Sequence, residues 1–373
     1  MSLTIKTVTS KNDLKKFILF PHALYRDNPF WAPNLFSEDK KLIAPGRHPF
    51  HEHAEVCLFL AEDTGRVVGR ISAHINHNHN RFHQDRVGFF GFFECIDSGE
   101  VAQSLLNKAA DYVRSKGMDT LRGPMNFSTN ESCGLLVNSF DETPYFMMPY
   151  NFPYYERLLG DAGFQKSKDL LCYGLDTETY QFERLGKVAE RIQKRSRIAL
   201  REVDFYRLEE EVEILKTIYN SAWEKNWGFV PMTDAEFTFM AHEMKAIVDK
   251  RLLYIALYKD KPAGFILCLP DINIVLKHLK GRLFPFGIFK ALYWKRKINR
   301  IRIITMGVIR ECRGLGIDII LYNQIANLSP SIGYPSGELG WVLEDNEPMN
   351  RAAKLMGAKF SKRYRIYDRK LVT

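Results

Sequence analysis

The chain has 373 residues, 46% hydrophobic and 26% charged, with a formal net charge of +9, which excludes a disordered or collagen-like polymer and favours two globular domains over one. No stretch reaches the roughly 18 uninterrupted apolar residues of a spanning helix, and the start, with Lys6, Lys11 and Asp13, lacks the apolar core of a signal peptide, so a cytoplasmic protein is expected. The positive charge calls for an anionic partner: a nucleotide cofactor, an anionic membrane surface or a nucleic acid.

After an N-terminal helical region, residues 59–71 read as a β-hairpin: an apolar strand, a polar turn and a second strand containing Gly69. His48, His51, His53, His74, His77, His79 and His83 surround it. Without cysteine or carboxylate partners at zinc spacing, they read as a solvated loop, and no metal is expected. Residues 87–93 form an apolar strand. Residues 98–116 place Val101, Leu105, Leu106, Ala109 and Val113 at helical spacing, and Gly117 is the stop. The loop 123–155 mixes aromatic and polar groups as an acceptor pocket does. Asn126, Tyr150, Asn151 and Tyr155 are its candidate contacts and Glu131 its candidate base, although an aromatic core with capping polar groups explains most of them equally well. Residues 182–203 carry Arg184, Lys187, Arg191, Lys194, Arg195, Arg197 and Arg201 on a helical pattern, read as a solvated connecting helix, with a nucleotide or anionic surface as the alternative.

The chain then repeats itself. Residues 254–266 form a second hairpin with Gly264 where the first has Gly69, and the helix ends at Gly163 and Gly357 recur at a separation differing by only one residue. Next come a strand at 302–308, a helix at 317–328, a strand at 337–343 and a helix at 348–356. Between the hairpin and the strand lies an insertion, 274–300, rich in aromatic, Lys and Arg residues. It is read as a lid over an acyl or acceptor channel, with membrane contact or a plain structural role as alternatives; from 272 to 310 there is no Asp or Glu. The six cysteines are scattered and read as free, mostly buried thiols.

The strand 303–308 runs through Arg313, Gly314, Leu315, Gly316 and Ile317 into a helix. A glycine turn leading from a strand to a helix lets backbone N–H groups converge on an anion, aided by the helix dipole. At these residues the sequence resembles the GNAT acyltransferases, whose R/Q-x-x-G-x-G/A signature is matched until Asp318, where the family usually has Gly or Ala. Asn346 resembles the asparagine that opens the family's last helix, while Ala353 stands where many members carry a tyrosine that acts as general acid. More narrowly, the chain resembles a bacterial family of two-lobed GNAT-like proteins, through residues 123–127, Glu131, 148–151, 223–231 with Trp227, 270–273 and 364–367.

The resemblance implies a mixed-sheet α/β chain of tandem duplicated lobes: 1–176 a degenerate lobe, 177–202 a connecting basic helix, and 203–373 the lobe that binds acetyl- or another acyl-coenzyme A. Its Val308 would face the thioester and residues 313–317 the pyrophosphate. Glu131, Glu344 and Asn346 are the catalytic candidates, and Asn126, Tyr150, Asn151, Tyr155 and Trp227 the acceptor contacts, with that site expected between the lobes. The implied reaction is direct attack of a neutral amine on the thioester. In the first lobe the crossing carries Glu94, Asp97 and Glu100 in place of the cradle, so no cofactor is expected there. The alternatives are long-chain transfer to a lipid amine, at an anionic membrane if peripheral, and a non-catalytic ligand-sensing scaffold. Nucleic acid ranks lower, since no RNP, KH or helix-turn-helix pattern accompanies the charge.

Overall fold

The computed structural model describes Leu3–Leu371, which form two compact units. The first holds the described part of Met1–Leu170, Asn273–Trp294 and the described part of Lys362–Thr373; the second holds Leu171–Ile272 and Lys295–Ser361. The insertion of the second repeat is therefore built into the first unit.

In the first unit the strands run in the order Leu3–Thr7, Ala54–Asp63, Arg66–Asn76, Val87–Cys95 and Thr120–Gly123, followed by residues 367–370. Every neighbouring pair is antiparallel except Val87–Cys95 with Thr120–Gly123, which is parallel and bridged by the helix Gly99–Ser115. That helix starts because the Ser98 side chain accepts the Val101 N–H, and it stops at Gly117, whose φ of +82° costs a residue without Cβ nothing. Its buried face, Val101, Leu105, Leu106, Ala109 and Val113, meets Phe59, Ile71 and Phe90 of the sheet.

The second unit repeats this plan with Ile198–Glu202, Leu253–Tyr258, Lys261–Pro270, Arg300–Val308 and Ser336–Leu343. Again the last pair is parallel, and the helix Ile317–Ser331 bridges it. The duplication extends to a backbone irregularity. The register of the first hairpin shifts just after Ala61, opposite Gly69, and that of the second just after Ala256, opposite Gly264. Each glycine lies beneath the bridging helix, where a Cβ would stand 2.7 Å from Leu105 in the first unit and 3.1 Å from Ile317 in the second.

Two expectations are corrected. The basic stretch 182–203 is not a solvated connecting helix: Phe182–Arg195 is helical and buries Leu185 and Ala189 in the core of helix Ile317–Ser331, and Ile198–Glu202 is an edge strand. Residues 77–83 are a short helix, not a loop. His74 and His79 are buried, His74 with its Nε2 at 2.8 Å from the Phe127 carbonyl and its ring stacked on Phe89, because an imidazole packs as an aromatic once one nitrogen is satisfied. The insertion consists of two helices, Asn273–Leu279 and Gly287–Lys295, and the first is rooted in the first unit by Asn273 Nδ2 donating to the Pro144 carbonyl at 2.9 Å. The cysteines are free and, apart from half-buried Cys57, buried. Among the described residues no helix is long and apolar enough to cross a membrane, and no group of three or more His, Cys, Asp or Glu side chains is arranged to hold a metal.

Candidate functional site

Arg300–Val308 and Ser336–Leu343 are long strands that pair over only four positions, from Arg300 with Ser336 to Ile303 with Leu339, and then part. Past that point Ile304–Val308 keeps its partners on one side, where Thr305, Met306, Gly307 and Val308 pair with Leu267, Ile266, Phe265 and Gly264. Its other edge has no strand partner among the described residues. On the opposite bank the Gly340 carbonyl is taken by the Arg302 guanidinium, at 3.0 and 3.2 Å, so the gap is held by a side chain instead of being closed by the ladder. The helix Leu208–Trp223 covers this strand: Gly307 has no room for a Cβ against Trp223 and Ala222. Two buried polar atoms here have no hydrogen-bond partner among the described residues, Thr305 Oγ1 and Asn220 Oδ1. Buried polar groups are nearly always paired, so both are candidate contacts for a polar ligand.

Beyond Val308 a short helical turn, Arg310–Cys312, leads into the predicted glycines. Gly314 and Gly316 have φ of +78° and +80°, and Gly316 opens helix Ile317–Ser331 without any side-chain cap. The backbone N–H groups of Gly314, Gly316, Ile317 and Asp318 find no acceptor among the described residues. Uncapped amides at the positive end of a helix dipole attract an anion. The two glycines play different parts. Gly314 faces open space, whereas a Cβ on Gly316 would stand 2.5 Å from Ile192 of helix Phe182–Arg195. Gly316 thus serves helix packing, and Gly314 is the one whose bare surface is open to a ligand. Arg313 is exposed and donates to the Ala222 carbonyl at 2.8 Å, which aligns its guanidinium beside the turn; Leu315 and buried Ile317 seat the turn on the core.

Sequence reasoning placed Arg191 and Arg195 on the basic helix but missed their setting. They flank Ile192, which touches the glycine turn, and both are exposed with no acidic partner among the described residues, whereas Lys187 and Lys194 pair with Glu183 and Glu190 on their own helix. Their helical spacing around an apolar residue was the available signal; that the apolar residue lands on Gly316 is a tertiary fact. The fit to a pyrophosphate therefore stands on orphan amides, a bare Gly314 and unpaired guanidinium groups nearby. Asp318 lies in the first helical turn, where a carboxylate is favoured by the dipole, four residues before buried Tyr322. Tyr322 stays a neutral phenol because burial, chiefly, and then the Asp318 charge push its pKa well above 10.

Asn346 caps the last helix, its Oδ1 accepting the Met349 N–H at 3.3 Å, and Asn350 Nδ2 ties down the Leu343 and Glu344 carbonyls at 3.0 and 3.1 Å. This fixes the backbone of half-buried Glu344, directly after the parted strand. Ala353 is fully buried, so its place offers no proton donor. Half-buried Trp227 follows the helix whose end packs on Gly307, in the same unit.

The other predicted contacts lie in the first unit and brace its own chain. Asn126 Oδ1 accepts the Phe92 N–H at 2.6 Å; Asn151 holds both the N–H and the carbonyl of Leu136; Tyr150 links Asn28 to the Phe140 carbonyl. Tyr155 donates to Glu94 at 2.7 Å and accepts the Cys95 N–H at 2.9 Å, and Tyr25 donates to the same Glu94 oxygen at 2.6 Å. Burial is the main reason that the Glu94 carboxyl titrates above the usual range. Glu131 accepts from the Ser128 N–H and hydroxyl at 2.9 and 2.6 Å.

A duplicated hairpin, bridging helix and parted parallel pair, with an uncapped glycine turn in the second copy, define a two-lobed GNAT-like fold. The similarity to known proteins follows the same line. The chain is 34% identical over 375 residues to protein YghO of Escherichia coli K12, covering 98% of this chain and 95% of YghO. It is 36% identical over 380 residues to the bacterial ceramide synthase of Caulobacter vibrioides, covering 99% and 98%. It belongs to the family that these two proteins share. A tandem GNAT protein from the clavulanic acid biosynthesis pathway superposes with a TM-score of 0.58 at 12% identity, covering 99% of this chain and 98% of that one, a likeness of fold. No family model matches the chain.

Proposed function

We propose that the chain is an acyl-coenzyme A-dependent N-acyltransferase that moves a long acyl chain to the primary amine of a long-chain lipid base. The observation that carries the donor half is the parted pair Arg300–Val308 and Ser336–Leu343 beside the orphan amides of residues 314–318. The acceptor half is supported by the full-length similarity to a protein named a ceramide synthase, ceramide being the N-acyl derivative of a long-chain amino alcohol.

In this reading the open edge of Ile304–Val308 hydrogen-bonds the extended arm of the donor, and an N–H near Val308 stabilises the negative oxygen as the amine attacks the thioester carbonyl. The turn Arg313–Ile317 holds the pyrophosphate, with Arg191 and Arg195 beside it. An alkylamine is mostly protonated at neutral pH and must lose a proton to attack. Glu344 is the better-placed base, because it follows the parted strand, whereas Glu131 is engaged in bracing Ser128. With Ala353 in place of a phenol, water protonates the leaving thiolate.

The experiment mixes the purified protein with palmitoyl-coenzyme A and sphinganine, follows thiol release and identifies the amide by mass spectrometry. Amide formation that falls at least tenfold in Glu344→Gln supports the reading. Acetyl transfer to small amines in preference would replace the acceptor, and donor binding without any amide product would leave a ligand-sensing scaffold.

A further inference from the structure

We propose that the tip of the insertion, Arg282–Lys295, is a docking element for an anionic lipid bilayer. The inference stands on exposure and charge and does not need the acyl-transfer reading.

Among the described residues, six of the eleven exposed large hydrophobic side chains fall within Phe284–Tyr293: Phe284, Phe286, Ile288, Phe289, Leu292 and Tyr293, with Phe284 75% and Phe286 72% exposed. The other five are scattered singly, as on any soluble surface. A contiguous apolar patch of this kind is a place to be covered. It is also held open. The helix Asn273–Leu279 buries Val275, Leu276 and Leu279; Gly281 packs on His22 and Phe36, with its carbonyl accepting the Phe36 N–H at 3.0 Å; and Trp294 stacks on His278 at 3.6 Å. With its base fixed in the first unit, the tip does not fold back onto the chain.

Charge decides what covers it. Lys280, Arg282, Lys290 and Lys295 are exposed around the apolar residues, and the sequence from 272 to 310 has no acidic residue. A second copy of the same patch would set like charges face to face. An anionic bilayer satisfies both features, taking aromatic and aliphatic groups into the headgroup boundary while Lys and Arg reach the phosphates. At nine residues, Gly287–Lys295 is far too short to span, so it lies in the interface.

Full-length protein is floated with vesicles of pure phosphatidylcholine and with vesicles containing about a third phosphatidylglycerol, at low and high salt. Binding is expected only to the anionic vesicles, weakened at least tenfold by Phe286→Ser/Phe289→Ser and severalfold by Lys290→Glu, with melting temperatures unchanged because these side chains make no core. Absence of flotation at low salt would overturn the proposal. So would vesicle binding that the double variant leaves intact, or light scattering that shows a dimer which the double variant splits.

Discussion

Each unit parts a parallel strand pair at the same point of its repeat, but the two gaps are treated in opposite ways. In the first unit Val87–Cys95 pairs with Thr120–Gly123 only at Val87, Gly88 and Phe89, and the chain then turns back into the opening. The Met125 carbonyl lies against Gly91, where no Cβ would fit, and Asn126 Oδ1 takes the Phe92 N–H. The following helix is capped by Ser98. In the second unit the corresponding edge stays open and the helix has no side-chain cap. The protein's own backbone and side chains thus enter the first opening, whereas the second keeps an unpaired strand edge. An unmet hydrogen bond in a buried place is costly, which makes the second opening the candidate for a bound ligand.

The largest predicted effect sharpens this comparison through acid. Buried His74 sits in the first unit with its pKa lowered to about 3, mainly by burial, whereas the second unit has only exposed His242. A folded pKa below the unfolded value of about 6.5 stabilises the first unit fully above that pH, and the contribution is lost as the pH falls towards 3. The loss is on the order of 5 kcal/mol when complete. Thermal melts between pH 7 and pH 4 should lose part of their slope in His74→Gln and keep it in His242→Gln, the remainder coming from His79 and His22, whose pKa values burial lowers to about 3 and about 4; equal slopes in both variants would break the contrast.

A second effect concerns the cradle. Asp and Asn tolerate positive φ best after glycine, so both replacements of Gly314 preserve the turn, but only one sets a carboxylate beside the orphan amides. Gly314→Asp should weaken binding of octanoyl-coenzyme A by about 30-fold, roughly 2 kcal/mol, and Gly314→Asn by less than about fivefold. Next, Asn126→Ala removes the acceptor of the Phe92 N–H and should cost about 1–2 kcal/mol of stability in denaturant melts, leaving acyl-coenzyme A affinity unaltered. The smallest effect is expected from Arg191→Ala and Arg195→Ala, each lowering that affinity about threefold, more at low salt than at high. An unchanged affinity in both would separate the basic helix from the donor site.

Much of this contrast was legible in the sequence. The repeat, both hairpins, the bridging helices and the glycine turn followed from periodicity and from Gly69, Gly264, Gly314 and Gly316, since each is a local signal. What escaped was tertiary. Nothing local reveals that Ile192 lands on Gly316, that Asn126 reaches Phe92, or that the insertion of the second repeat is rooted in the first unit by Asn273. Asn126, Tyr150, Asn151 and Tyr155 looked like pocket residues because the same amphipathic groups that bind a ligand also satisfy a loop's own backbone. The seven clustered histidines misled for a related reason: polarity in sequence does not show that His74 and His79 are buried.

The central claim, that one opening binds acyl-coenzyme A and the other is filled by the protein itself, is tested most directly by titration calorimetry with octanoyl-coenzyme A. The account predicts one site per chain, with an affinity retained in Asn126→Ala and lowered about 30-fold in Gly314→Asp. Two sites per chain, or a single site whose affinity Gly314→Asp leaves unchanged, would contradict it.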